Sequence, residues 1–104
     1  MINKNIMNDL VKIFTKYSNV NKVLLFGSRA RGDHKENSDI DLCICGDNIN
    51  HSTLANIYMD VEDINTLVGF DILSFNDIKS RELIDNILED GVCIYEQEAR
   101  RENN

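Results

Sequence analysis

Proline is absent from this 104-residue sequence, and no hydrophobic run approaches the roughly 20 residues that a membrane-spanning helix needs. The first absence excludes a proline-rich linker and the second a helical membrane span. Internal repeats and low-complexity segments are missing as well, so nothing marks a domain boundary. Positive charge is scarce: 11 Lys and Arg stand against 18 Asp and Glu, a net charge of −7. That balance argues against broad, sequence-independent binding to nucleic acid, although Arg29, Arg31 and Lys35 gather basic charge in one short stretch. Histidine and cysteine are few. His34 and His51 fall in polar loops and Cys43, Cys45 and Cys93 in apolar runs, which gives no zinc-ligand spacing and leads us to expect buried free thiols. The N-terminal Met-Ile-Asn-Lys-Asn-Ile lacks the continuous apolar region of a secretory leader, so a cytoplasmic protein is expected.

The length suits a single modest core, and we expect one domain over 1–96 followed by a polar, frayed tail over 97–104. Ile6, Leu10, Ile13, Phe14 and Tyr17 recur at spacings of three and four and predict a helix over about 4–17. Strands are predicted at about 22–26 and 39–45, separated by a polar loop with room for one helical turn, and Gly46, Asp47 and Asn48 end the second. A second helix is predicted over about 52–67, with Leu54, Ile57, Tyr58, Val61 and Ile64 as its stripe and Ser52 or Thr53 as its cap. A third strand follows at about 69–74. A third helix, capped by Asn76 or Asp77, should run to Asp90 with Ile78, Ile84, Ile87 and Leu88 inward; Gly91 stops it, and a short strand at 92–95 completes the pattern.

Chemistry concentrates between residues 27 and 42. Gly27 and Ser28 close the apolar run Val23 to Phe26 in a strand-to-helix turn, where free backbone N–H groups attract phosphate. Asp39 and Asp41 alternate with Ile40 and Leu42, which in a strand sends both carboxylates to one face and both aliphatics to the other. Paired carboxylates can bridge two divalent ions about 4 Å apart, as phosphoryl and nucleotidyl transfer require. Asp71, the single charge in the third strand, is the natural third ligand, and Arg29 and Arg31 lie where they can reach a polyphosphate. Taken one at a time, these features have ordinary readings: a serine-capped turn, a strand-entry aspartate, solvated arginines. Asp41 is harder to dismiss, because an unpaired carboxylate inside a strand costs several kcal/mol unless it is solvated, paired or metal-bound.

Gly27-Ser28, ten intervening residues and then Asp39-Ile40-Asp41 closely resembles the signature of the DNA polymerase beta-like nucleotidyltransferase superfamily, and in its short form the minimal nucleotidyltransferases, the MNT family. The order of elements over about 22–95 agrees. The resemblance implies an α/β (α+β) fold, a small mixed sheet with helices packed on one face and an open catalytic face, binding Mg²⁺ and ATP. It assigns Gly27 and Ser28 to the triphosphate, Asp39 and Asp41 to the metal pair, and Asp71 to the third carboxylate that orients and deprotonates the acceptor hydroxyl. It implies transfer of AMP to a hydroxyl, expected to be tyrosine, on a helical HEPN-type partner, in a toxin–antitoxin pair. A binding antitoxin that blocks a ribonuclease by contact alone, and transfer to a small molecule or an RNA end, stay open as alternatives.

Overall fold

The computed structural model describes residues 2–98. Helix α1 (Lys4–Thr15) starts where the Asn3 side chain accepts hydrogen bonds from the amides of Asn5 and Ile6, and its apolar stripe buries Leu10, Ile13 and Phe14. Strand β1 (Val20–Phe26) leads through Gly27 into the single turn of α2 (Ser28–Arg31); a loop then enters β2 (Ile40–Gly46). Next come α3 (His51–Glu62), β3 (Phe70–Ser74), a 3₁₀ turn (Phe75–Asp77), α4 (Arg81–Asp90) and β4 (Val92–Glu96).

The four strands form one mixed sheet in the order β3-β2-β1-β4. β1 lies antiparallel to both β2 and β4, whereas β2 and β3 run parallel, with α3 in the crossover between them. A register shift between Val20 and Lys22 breaks the strict alternation of β1, so Val20, Val23 and Leu25 all face one core. That core packs α1 and α3 against the sheet through Leu10, Phe14, Ile57 and Val61, with Ile40, Leu42 and Ile44 of β2 and Phe70 of β3 beneath them. Full burial of a side chain such as Phe14 contributes about 1.5–3 kcal/mol.

The fold class is the one expected, with a refinement. The second sheet face is not wholly open, because α4 packs Ile87 and Leu83 onto Leu24 and Cys43. The uncovered part is the end where β1 runs out and β2 and β3 begin. Several boundaries also differ from those read in the sequence. α3 stops at Glu62 rather than near Leu67, and Asn50 rather than Ser52 or Thr53 caps it, accepting from the Thr53 amide at 2.9 Å. The last helix starts at Arg81: Asn76 and Asp77 form the 3₁₀ turn, Ile78 is extended, and Ser80 is the cap. Leu88, expected inward, is exposed. Of the three free thiols Cys43 is buried as expected, but Cys45 is half-buried and Cys93 exposed, because Cys93 lies on an edge strand and alternates with the inward Val92 and Ile94. Gln97, placed in the frayed tail, is instead tied to the sheet: its amide donates to the Asn21 carbonyl at 2.8 Å and its side chain to those of Ser18 and Val20. The rest of that tail, from Ala99, lies outside the described residues. Among the described residues no helix is long and apolar enough to cross a membrane.

One polar tie couples α1 to α3. The Tyr17 hydroxyl donates to Asp60 Oδ2 at 2.6 Å and Lys16 Nζ approaches the same oxygen at 3.2 Å. Burial, then the bond to Asp60, push the Tyr17 phenol up to about 12, while the bonds from Tyr17 and Lys16 hold the Asp60 carboxyl below its usual range. A depressed carboxyl adds stability that is present above its unfolded value and lost as pH falls through the folded one; a raised phenol adds stability that is present below its unfolded value and lost as pH rises towards 12. Tyr17→Phe should therefore lower stability by about 1 kcal/mol at neutral pH. Thermal melts of both proteins across pH should show the difference shrinking below about pH 4 and above about pH 10.

Candidate active site

Three chain segments meet at the uncovered end of the second face. β1 delivers Gly27, whose φ of 76° and ψ of −156° put it in a region open almost only to glycine. The absent side chain also makes room: a Cβ at Gly27 would lie 2.2 Å from Asp41 Oδ2, so the Asp41 carboxylate occupies the space a side chain there would fill. Ser28 then opens α2, whose short turn closes through amides of Ala30 and Arg31 donating to the Gly27 carbonyl, each at 3.1 Å. Gly32, at φ 85°, ends it.

β2 delivers the carboxylates. Asp41 pairs in register with Phe26 of β1 on one side and with Asp71 of β3 on the other, on the face opposite Ile40 and Leu42. Asp39 lies just ahead of the strand, against Gly69, where a Cβ would come within 2.9 Å of Asp39 Oδ1; the Ile40 amide donates to the Gly69 carbonyl at 2.9 Å, fixing the approach. Asp39 and Asp71 are exposed and Asp41 is half-buried. Burial raises the Asp41 carboxyl above its usual range, the charges of Asp71 and then Asp39 raise it further, and Arg31 opposes them. Asp39 and Asp71 are thus near enough for their charges to act on Asp41.

The arginines take different positions. Arg29 is buried. Its Nε and one terminal nitrogen donate to the Ser38 carbonyl at 3.1 and 2.8 Å, and the same terminal nitrogen donates to the Glu36 carbonyl at 3.2 Å. The guanidinium thus grips the peptide that leads directly into Asp39. Arg31 is about half exposed, pairs with Asp33 at 3.2 Å, and contributes positive charge beside Asp41. Replacing Arg29 by Met leaves two loop carbonyls without this donor and should cost about 1–3 kcal/mol in chemical denaturation; Arg29→Lys should restore little, since an ammonium cannot supply the planar fork.

Sequence reasoning missed two members of this region. Gly69 gives only the weak signal of a glycine at a strand entry, and Ser38, by sequence one polar loop residue among several, accepts Arg29 on its carbonyl and the Lys35 amide on its hydroxyl at 2.9 Å. His34 carries a buried Nδ1 that finds no partner among the described residues.

Among the described residues no three His, Cys, Asp or Glu side chains are drawn together as a ready metal cage. The donor set nonetheless suits a hard divalent cation such as Mg²⁺: all the donors are carboxylate oxygens, and their mutual repulsion at Asp41 is of the kind such a cation relieves. The site is an open surface. A cavity of about 590 Å³ is lined by Glu36, Asn37, Thr66, Leu67 and Val68, on the two segments that lead into Asp39 and Gly69.

Residues 8–100 match the family model described as Polymerase beta, Nucleotidyltransferase. A candidate protein adenylyltransferase of Methanocaldococcus jannaschii is 61% identical over 28 residues, a stretch covering 27% of this chain and 28% of that relative. Among solved structures, a toxin–antitoxin complex with AMP-PNP contains a chain that superposes with a TM-score of 0.72 at 17% identity, covering 88% of this chain and 73% of the other. The complex of a tri-AMPylated Shewanella oneidensis HEPN toxin with its MNT antitoxin gives 0.66 at 14% identity, with coverages of 88% and 71%. A candidate nucleotidyltransferase from Sulfolobus solfataricus gives 0.58 at 25%, with coverages of 90% and 79%. The first two likenesses, below 25% identity, speak to fold alone.

Proposed function

The chain belongs to the polymerase beta nucleotidyltransferase family, and from that premise we propose that it is a Mg²⁺-dependent adenylyltransferase that moves AMP from ATP to a tyrosine hydroxyl of a HEPN-type partner, acting as the antitoxin of the pair. The observation that carries this reading is the register of Asp41 with Asp71 across two parallel strands, with Asp39 alongside and Gly27 cut away to admit the Asp41 carboxylate. Support for the acceptor comes from the fold shared with the AMPylated toxin complex and with the AMP-PNP complex. Three free cysteines agree with a cytoplasmic setting.

Asp39, Asp41 and Asp71 would hold Mg²⁺, which when bound neutralises phosphate charge and favours the ionised acceptor oxygen. Gly27 lets the backbone approach the triphosphate closely and Ser28 presents its hydroxyl there. Arg31, half exposed beside Asp41, offsets charge on the departing pyrophosphate. Arg29 acts behind the site by fixing the Ser38–Asp39 peptide. Asp71, exposed on the edge strand, takes the proton of the acceptor hydroxyl. The acceptor oxygen then bonds to the α-phosphorus as the bond from that phosphorus to the bridging oxygen breaks, and pyrophosphate leaves with the bonding pair. Incubating the chain with its HEPN-type partner and ATP labelled in the α-phosphate tests this directly: label should accumulate on the partner and be lost with a Tyr→Phe partner.

A further inference from the structure

One exposed flank of α3 differs in character from the outer sides of the other long helices. Leu54, Ile57 and Val61 turn inward; Ala55, Tyr58, Met59 and Glu62, spaced three and four apart, form an exposed flank on the β3 side, whereas Ser52, Asn56 and Asp63 face directly outward. The outer sides of α1 and α4 carry mostly Lys, Asn, Asp, Glu and Arg. Of the four large apolar side chains exposed among the described residues, Tyr58 (44%), Met59 (65%) and Leu67 (106%) fall within one ten-residue stretch, and Leu88 alone lies elsewhere. This stretch leads from α3 into β3, the edge strand that carries Asp71. Leu67 lines the 590 Å³ cleft together with Glu36, Asn37 and Val68, and Val68 precedes Gly69, where a Cβ would come within 2.9 Å of the Asp39 carboxylate. Tyr58 shares a cavity of about 270 Å³ with Ile72, the residue after Asp71. Its phenol is held up first by Glu62 and, more weakly, by the charges of Asp71 and Asp39.

We propose that the β3-side flank of α3 and the loop over 63–69 form the surface on which the acceptor protein docks, through a segment pairing apolar side chains with Lys or Arg. The apolar stripe supplies the buried centre of such a contact, and Glu36, Glu62 and Asp63 supply an acidic rim complementary to a basic segment. Because α3 covers the sheet face opposite Asp71, a protein seated there reaches Asp71 by passing round the edge strand β3. The proposal rests on the transfer reading above.

The test uses Met59→Glu with Leu67→Glu, both at exposed positions where the fold should persist, and Leu88→Glu as control. Against the HEPN-type partner from the same locus, the double variant should weaken binding about tenfold or more while its ATP affinity and melting temperature stay at wild-type values, and Leu88→Glu should change none of these. Wild-type binding and labelling by the double variant overturns the docking surface and leaves the transfer reading standing. Wild-type protein that binds the partner without labelling it sinks the transfer reading, while loss of binding in the variant still upholds the surface. A double variant that dissolves a self-dimer yet holds the partner normally assigns the face to a second copy and overturns the proposal.

Discussion

Asp39→Asn combined with Asp41→Asn should reduce AMP transfer to background while leaving the protein at least as stable as wild type in metal-free buffer. Both substitutions keep side-chain volume and remove charge. The stability half follows from the present charges: Asp41 is half-buried, its carboxyl is pushed up by burial and by Asp71 and Asp39, and neutral amides remove that repulsion. The activity half follows from losing two anionic oxygen donors at once, an effect expected to exceed the roughly 10- to 100-fold loss seen when outer-shell partners of metal ligands are removed. Stability and function then move in opposite directions, as expected where a strained cluster is kept for its chemistry. Melts paired with single-turnover labelling read both halves. A variant that loses several degrees of stability would place the carboxylates in the fold's support rather than in its chemistry.

Gly27→Ala has the second large effect, and it separates backbone strain from steric displacement. Its dihedral angles lie in a region that non-glycine residues occupy at a cost of about 1–3 kcal/mol. The added methyl would also sit 2.2 Å from Asp41 Oδ2; because that atom ends a side chain, the carboxylate can swing aside and the chain still fold. We expect a folded protein, destabilised by that amount, with labelling reduced at least as far as in a single Asp41→Asn variant. Gly32→Ala supplies the comparison: φ is 85° but nothing lies within 4 Å of its Cβ position, so it should cost about 1–2 kcal/mol of backbone strain and leave transfer intact. Equal activity losses in the two alanine variants would point to general destabilisation instead.

Periodicity carried much of this architecture. The stripe through Leu10, Ile13 and Phe14 and the alternation about Asp39 and Asp41 each report a single dominant force, burial of one face, and both are visible without tertiary information. The elements misjudged are those where two local signals compete. Asn76 and Asp77 are good caps, yet Ser80 wins because Phe75 and Ile78 are needed against Leu24 and Cys43 on the second face, which only the folded sheet reveals. α3 stops at Glu62 although Ile64 continues its spacing, since the chain must turn there to bring Gly69 beside Asp39. The Arg29 clamp was illegible for another reason: its partners are backbone carbonyls, which have no residue signature. The shared parity of Asp41 and Asp71 was equally readable, because it follows from strand geometry alone.

Under the proposed function this chain acts on its partner by transferring AMP. Intact-mass analysis of the HEPN-type partner, purified after co-expression with either the wild-type chain or the Asp39→Asn/Asp41→Asn variant, tests it most directly. We predict a partner heavier by whole AMP units with the wild type and unmodified with the variant; an unmodified partner in both, with its toxicity still suppressed, would contradict the claim and leave binding alone as the mechanism.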